Sequence, residues 1–350
     1  MSIPPKSLSH GDGMPPLSSV DHRLEAAAFG VMDGALAIVP GEHVVVVTDA
    51  STAEFGEALV AAVSGFRATA EAFVLEDLGP RPHGTLHPLI RRALPRAHAS
   101  VMHTSFHRGE YPMRAELVDV ALSNRLRHAH MVGVTRRSIV AGLAASPLRI
   151  AEVSRALRLR ILPNCRIHVR SYAGTDLMVH CEPWCRWYET SGVIQPGTKA
   201  NLPAGELVTS PSSVNGVYVA DGWVGDGGGL VHAELAAGPL KITFARGAVV
   251  GIEGEDEAMV RQVQQLIART PNLDRAGLIS FGTNVGMTGL VDDIFTNQKL
   301  PSFHISLGLS FPEKTGASWT ARDWIAFTAR NSDVDIDGAA VMRAGRYLIP

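Results

Sequence analysis

A chain of 350 residues and 37.3 kDa is long enough for about two domains. With 46% hydrophobic and 19% charged residues it fills a large core rather than staying disordered, and 32 Lys+Arg against 34 Asp+Glu leave no basic excess to hold nucleic acid. It lacks a run of about 18 apolar residues, the first twenty show no continuous apolar signal, and three cysteines are too few for a disulfide framework; a cytoplasmic protein is the expectation, with neither nucleic acid nor membrane as partner.

Residues 1–20 mix Pro, Ser, Gly and His without periodicity and read as a mobile tail. A helical stretch over 21–37 leads to HVVVVTD, whose four valines, 44–47, suit a strand buried on both faces of a parallel sheet. Phe55, Leu59, Val63 and Phe66 then recur at helical spacing behind Thr52 as N-cap. FVLEDL, ASVMHTS and AHMVGVT predict three more strands separated by helices. Alternation of this kind means an open α/β sheet with right-handed crossovers, here over 21–160.

From 161 onward the pattern changes to short strands and turns: RIHVRSYAGTDLMVH, VNGVYVADGWV, and LKITFARGAVVGIEG with a turn at Arg246-Gly247. One helix interrupts at 256–270, where Met259, Val260, Val263, Leu266 and Ile267 share a face. The fold class is therefore α/β: an open parallel α/β domain, then an α+β, β-rich domain over 161–350.

In an open parallel sheet, ligands sit beyond the carboxyl ends of the strands. Thr48-Asp49 and His103-Thr104 end two strands there, which makes His103 a cleft candidate; His128 and His130, at a strand start, read as structural. GDGGG at 225–229 has no following Lys-Ser/Thr and opens no helix, so it is a hairpin connection rather than a phosphate loop. Neither GxGxxG nor GxSxG is present where it would count. Cys181 and Cys185, spaced CxxxC beside His180, and the earlier Cys165 read as ordinary thiols rather than a zinc site. The most informative stretch is NLPAGE at 201–206, which sets Glu206 at a tight turn entering an apolar strand. Downstream stand GTN at 282–284, FHISLG at 303–308 and Asp323. His304, inside an alternating strand, needs a hydrogen-bond partner or a metal.

In this order, GTDL (174–177), NLPAGE, SVNG (213–216), GTN, HISLG and Asp337-Gly338 resemble the thermophilic, aminopeptidase T-like metallopeptidases. The resemblance runs from about Ile167 to the C-terminus. It implies a homodimeric two-metal aminopeptidase whose metals clamp the attacking water and the scissile carbonyl. Carried over residue by residue, Glu206, His304 and Asp323 match ligands of one metal. Leu278 and Ala321 fall where ligands of the other belong, and Phe311 replaces the family tyrosine. A family Asp-Glu-Lys appears as Asn297-Gln298-Lys299. The resemblance thus implies one divalent ion (Zn, Mn or Fe) held by Glu206, His304 and Asp323, with Glu206 also catalytic. His103, counted with Glu206 among the catalytic residues, or Asp176 would orient the substrate, and Phe311 would line its site. HVRSYAGTD (168–176) is also similar to 2,5-dihydroxypyridine dioxygenase, a ring-cleaving iron enzyme of the same fold. The leading expectation is a single-metal hydrolase of an amide or peptide-like bond in a small metabolite. A mononuclear iron oxygenase and a member that has lost its metal site are the alternatives.

Overall fold

A computed structural model of the chain describes residues 21–235 and 238–349; the expected N-terminal tail lies outside the described residues. Two units are resolved. The first runs to Leu148 and takes back Gly192–Ala204; the second holds Arg149–Ser191 and the chain from Gly205 onward.

The first unit is a five-stranded, all-parallel sheet in the order Thr69–Val74, His43–Thr48, Ala99–His103, Arg127–His130, Lys199–Asn201. In chain order that is 2-1-3-4-5, so the topological switch point falls between the strands ending at Thr48 and His103. Val44 to Val47 are buried as their run predicts: Val44 and Val46 belong to the apolar layer on one face, Val45 and Val47 to that on the other. The expected strand FVLEDL ends at Val74 and turns into a 3₁₀ helix, Leu75–Leu78; that of AHMVGVT runs over Arg127–His130. Thr52 precedes the helix Ala53–Gly65 but does not cap it, because its hydroxyl donates to the His103 carbonyl at 2.7 Å.

The division between units differs from the expected break at 160 in two ways. Most of the helix Pro147–Arg158 belongs to the second unit, where Leu157 and the following Ile161 join the core and Ser154 Oγ meets Thr283 Oγ1 at 2.8 Å. The fifth parallel strand, Lys199–Asn201, comes from sequence beyond that break. Three residues are too few to show a period.

The second unit stacks two antiparallel sheets, of eight and seven strands, over one apolar core. Cys165, Ile167, Val169, Leu177 and Val179 enter that core from the larger sheet, and Ile279, Phe281, Phe303, Ile305 and Phe327 from the smaller. Tyr218 on the larger sheet is fully buried, and its hydroxyl donates to the Phe303 carbonyl of the smaller one at 3.0 Å. The hairpins at Arg246-Gly247 and Asp337-Gly338 turn through positive φ at both residues, as their Xaa-Gly pairs require. GDGGG likewise lies in a hairpin, between Trp223–Asp226 and His232–Glu234, where Asp226 accepts from the Gly228 and Val231 amides.

Candidate functional site

In the smaller sheet the strands run Tyr188–Thr190, Glu206–Thr209, Ala276–Gly282, Phe303–Gly308, Trp324–Phe327, then the GDGGG hairpin. Their period of two sends Leu207, Phe281, Phe303 and Ile305 into the core. The opposite face therefore carries Tyr188, Thr190, Glu206, Ser280, His304 and Ser306. Glu206 pairs with Thr190 and Gly282, and Ser280 pairs with His304.

The NLPAGE turn aims Glu206. Gly205 has φ of +127°, and a Cβ there would lie 2.7 Å from Asn284 Cβ and 2.9 Å from its backbone nitrogen. Only glycine fits. Gly282 is equally confined, since a Cβ would run into the Leu300 carbonyl. These two close approaches bring the loop 283–302 against the strand ends. The Asn297 side chain braces the loop with bonds to the Val291 amide and carbonyl, both 2.8 Å. The result is an ion pair between Lys299 Nζ and the Glu206 carboxylate, both side chains close to nine-tenths buried. Gln298 reaches Ser306 Oγ at 3.3 Å. Burial, with Glu206 and Glu313 nearby, drives the Tyr188 hydroxyl well above its ordinary range, so it stays a neutral donor.

His304 is fully buried. Its Nε2 donates to the Leu300 carbonyl at 2.9 Å and its Nδ1 accepts from the Ala329 amide at 3.4 Å. Burial first, and Lys299 in addition, lower its pKa to about 4, against the hydrogen bond to Leu300. Both nitrogens of this neutral ring are committed to backbone. Asp323 does not join it, because the adjoining Trp324 pairs with Gly308, at the other end of the strand that carries His304. Four residues of strand separate those ends by about 13 Å. Asp323 Oδ1 lies instead beside Gly227 of the hairpin.

The residues implied for a metal do not fit one. His304 has no free lone pair, Glu206 already faces an ammonium, and Asp323 is elsewhere. Among the described residues no three His, Cys, Asp or Glu side chains are grouped to hold a metal ion. Ala321 is buried against Gly308, and Leu278 sits at a bulge.

The remaining expected site residues scatter. Phe311, with φ of +49°, lies near Lys314 Nζ, which is also 5.2 Å from the Tyr188 ring, so it belongs to the rim of the Glu206 face. Asp176 is on the other sheet, exposed, and bonded to His168 Nε2 at 2.7 Å. His168 lines a separate cleft of about 650 Å³ with His180 and Asp335. Asp176 is thus not a neighbour of Glu206, because a period-two register sends it to the solvent face of its own sheet. His103 belongs to the first unit and is 2% exposed, with Nε2 on the Val134 carbonyl at 3.2 Å and its ring edge-on to Phe55. Burial holds it below the usual histidine range. It is a wall of the core rather than an open cleft residue.

Sequence reasoning placed neither Lys299 nor Tyr188 in the site. The family Asp-Glu-Lys element was the available signal for Lys299; Tyr188 is revealed only by strand pairing. Sequence reasoning also missed what closes the first unit's switch point. Arg81, 5% exposed, grips Glu110 through Nε and Nη2 at 2.8 and 2.6 Å and Asp49 through Nη1 at 2.5 Å. Burial would raise the Asp49 pKa, but hydrogen bonds from Ser105, Ser51 and Arg81 outweigh it and hold the carboxyl well below its usual range.

No helix among the described residues is long and apolar enough to cross a membrane. Neither a family model nor a curated protein matches the chain. Solved structures do, among them two of near-full-length coverage. The 2,5-dihydroxypyridine dioxygenase of Pseudomonas putida KT2440 is 19% identical over 93% of this chain and 97% of its own, with a TM-score of 0.61. AmpT of Thermus thermophilus is 17% identical over 94% of this chain and 99% of its own, also at 0.61. At such identities the likeness is one of fold: the chain has the mixed α/β architecture common to an AmpT and a dihydroxypyridine dioxygenase.

Proposed function

We propose that the β-rich unit is a metal-independent site for a small polar molecule bearing a carbonyl or amide group, with Lys299 and Glu206 as its chemical pair. The buried ion pair between them carries this reading. A divalent cation on Glu206 would have to displace a buried ammonium, and its repulsion from that ammonium would be weakly screened there. The pair has an electrophilic and a basic member: Lys299 donates to a ligand oxygen, and Glu206 accepts a proton or hydrogen bond from the group beside it. Tyr188 adds a neutral donor at the rim.

The single-metal hydrolase and the iron oxygenase both need His304 as a ligand, and its hydrogen bonds speak against both. Peptide hydrolysis at metallopeptidase rates is not expected. A homodimer remains part of the proposal on the resemblance alone.

The test is metal content by mass spectrometry on protein purified without chelator, then after anaerobic incubation with Zn(II), Mn(II) or Fe(II). The expected result is far less than one equivalent, with thermal stabilisation by simple carboxamides or carboxylates that Lys299→Met abolishes. One equivalent per chain, lost in Glu206→Ala, would overturn the proposal.

A further inference from the structure

All three cysteines of the chain lie together in the core of the second unit as free thiols. Cys165 and Cys181 stand directly opposite each other on the antiparallel strands Cys165–Arg170 and Asp176–Cys181. After Cys181 the chain folds back in a turn closed by the Cys185 amide on the Glu182 carbonyl at 2.9 Å. Cys181 is consequently the neighbour of both, with Cys165 across the strand pair and Cys185 across the turn. The three are not equivalent. Cys165 and Cys181 are 1% exposed, while Cys185, next to the part-exposed Trp184, is 8% exposed.

We propose that this cluster is a peroxide-responsive thiol–disulfide site in which Cys185 is oxidised first and Cys181 resolves it. Hydrogen peroxide oxidises the Cys185 thiol to a sulfenic acid and is reduced to water. The Cys181 sulfur then attacks the Cys185 sulfur: an S–S bond forms, the S–O bond breaks, and the hydroxide leaves as water with the Cys181 proton. Two features favour this order. The Cys181 side chain shifts both Cys165 and Cys185 toward the thiolate, the reactive form, and of these two Cys185 is the more exposed and lies in the turn rather than in a strand. Cys181 stands across that turn from the sulfur it must attack. The disulfide would tie the turn after Cys181 to the strand end. That turn leads directly into Tyr188–Thr190, the strand paired with Glu206.

The experiment treats the reduced, full-length protein with hydrogen peroxide, quenches with iodoacetamide, and reads intact mass and linked peptides. The wild type is expected to lose two hydrogens and to yield a peptide joining Cys181 to Cys185, with Cys165 alkylated only after unfolding. In Cys181→Ser, dimedone should label Cys185. Cys165→Ser should keep the link, and Cys185→Ser should slow disulfide formation at least tenfold. The wild-type map requires no variant to fold. Three alkylatable thiols after peroxide, a link that omits Cys185, or sulfinic acid on Cys185 without a disulfide would each overturn the proposal.

Discussion

Replacing Arg81 with Met keeps the length of the side chain and removes the one cation between two fully buried carboxylates. The two are not left in the same position. Asp49 still accepts from the amides of Ser51, Thr52 and Ser105 and from the Ser51 and Ser105 hydroxyls. Glu110 keeps only the His83 amide, at 3.2 Å, so it bears most of the cost. Removing one member of a buried ion pair costs about 3–5 kcal/mol. Because Asp49 stays solvated by its own loop, we expect about 4 kcal/mol, a large share of the roughly 5–15 kcal/mol that holds a domain together. All five tryptophans, at 184, 187, 223, 319 and 324, belong to the second unit, which separates the readouts. In urea, the far-ultraviolet circular dichroism of the helix-rich first unit should shift to lower denaturant while tryptophan fluorescence holds. The loss should also depend on pH. In the variant, Glu110 is buried without its hydrogen-bonded cation, and the weaker attraction of Arg114 and His107 does not replace it, so its folded pKa rises above the unfolded value and the penalty grows as pH rises past about 4.5. A loss under about 1 kcal/mol, or one equal at pH 5 and pH 8, would refute the reasoning.

Two further outcomes are expected. His130 is held near pKa 4, by burial first and then by Lys199 and Arg114, and His128 beside it is lowered further by burial. Unfolded, both bind protons near pH 6.5. Below that the unfolded state holds more protons, so the first unit loses stability as pH falls from about 6.5 to about 4, by up to about 3 kcal/mol for His130; a dichroism melting temperature flat across that window would contradict it. Tyr218→Phe removes a hydroxyl that joins the two sheets at the Phe303 carbonyl and should cost about 1–2 kcal/mol in tryptophan-monitored urea unfolding. No change would mean that the carbonyl is satisfied by its sheet alone.

Much of the fold was legible in residues 21–160 and in the β-rich half because each element carries its own period. Four consecutive valines announce a two-sided parallel strand, and the apolar stripe of 259–267 a surface helix. The glycine of NLPAGE is legible too: a carboxylate after a tight turn must be aimed by backbone, and the φ of Gly205 bears that out. Elements without a period were not legible. Lys199–Asn201 is a strand only because Arg127–His130 offers it a parallel edge. The candidate site failed in the same way. The sequence motifs name Glu206, His304 and Asp323 but carry no distances, and His304 and Asp323 lie toward opposite ends of adjacent strands.

Periodicity, turn chemistry and composition are local, so the sequence by itself determined the α/β class, the change to β-rich structure and the turn that presents Glu206. Register and close approach are not local. Only the tertiary structure set Lys299 on Glu206, turned both His304 nitrogens to backbone, closed the switch point with Arg81 and gathered three distant cysteines. A strand shifted by one residue would send Glu206 or His304 to the other face of its sheet.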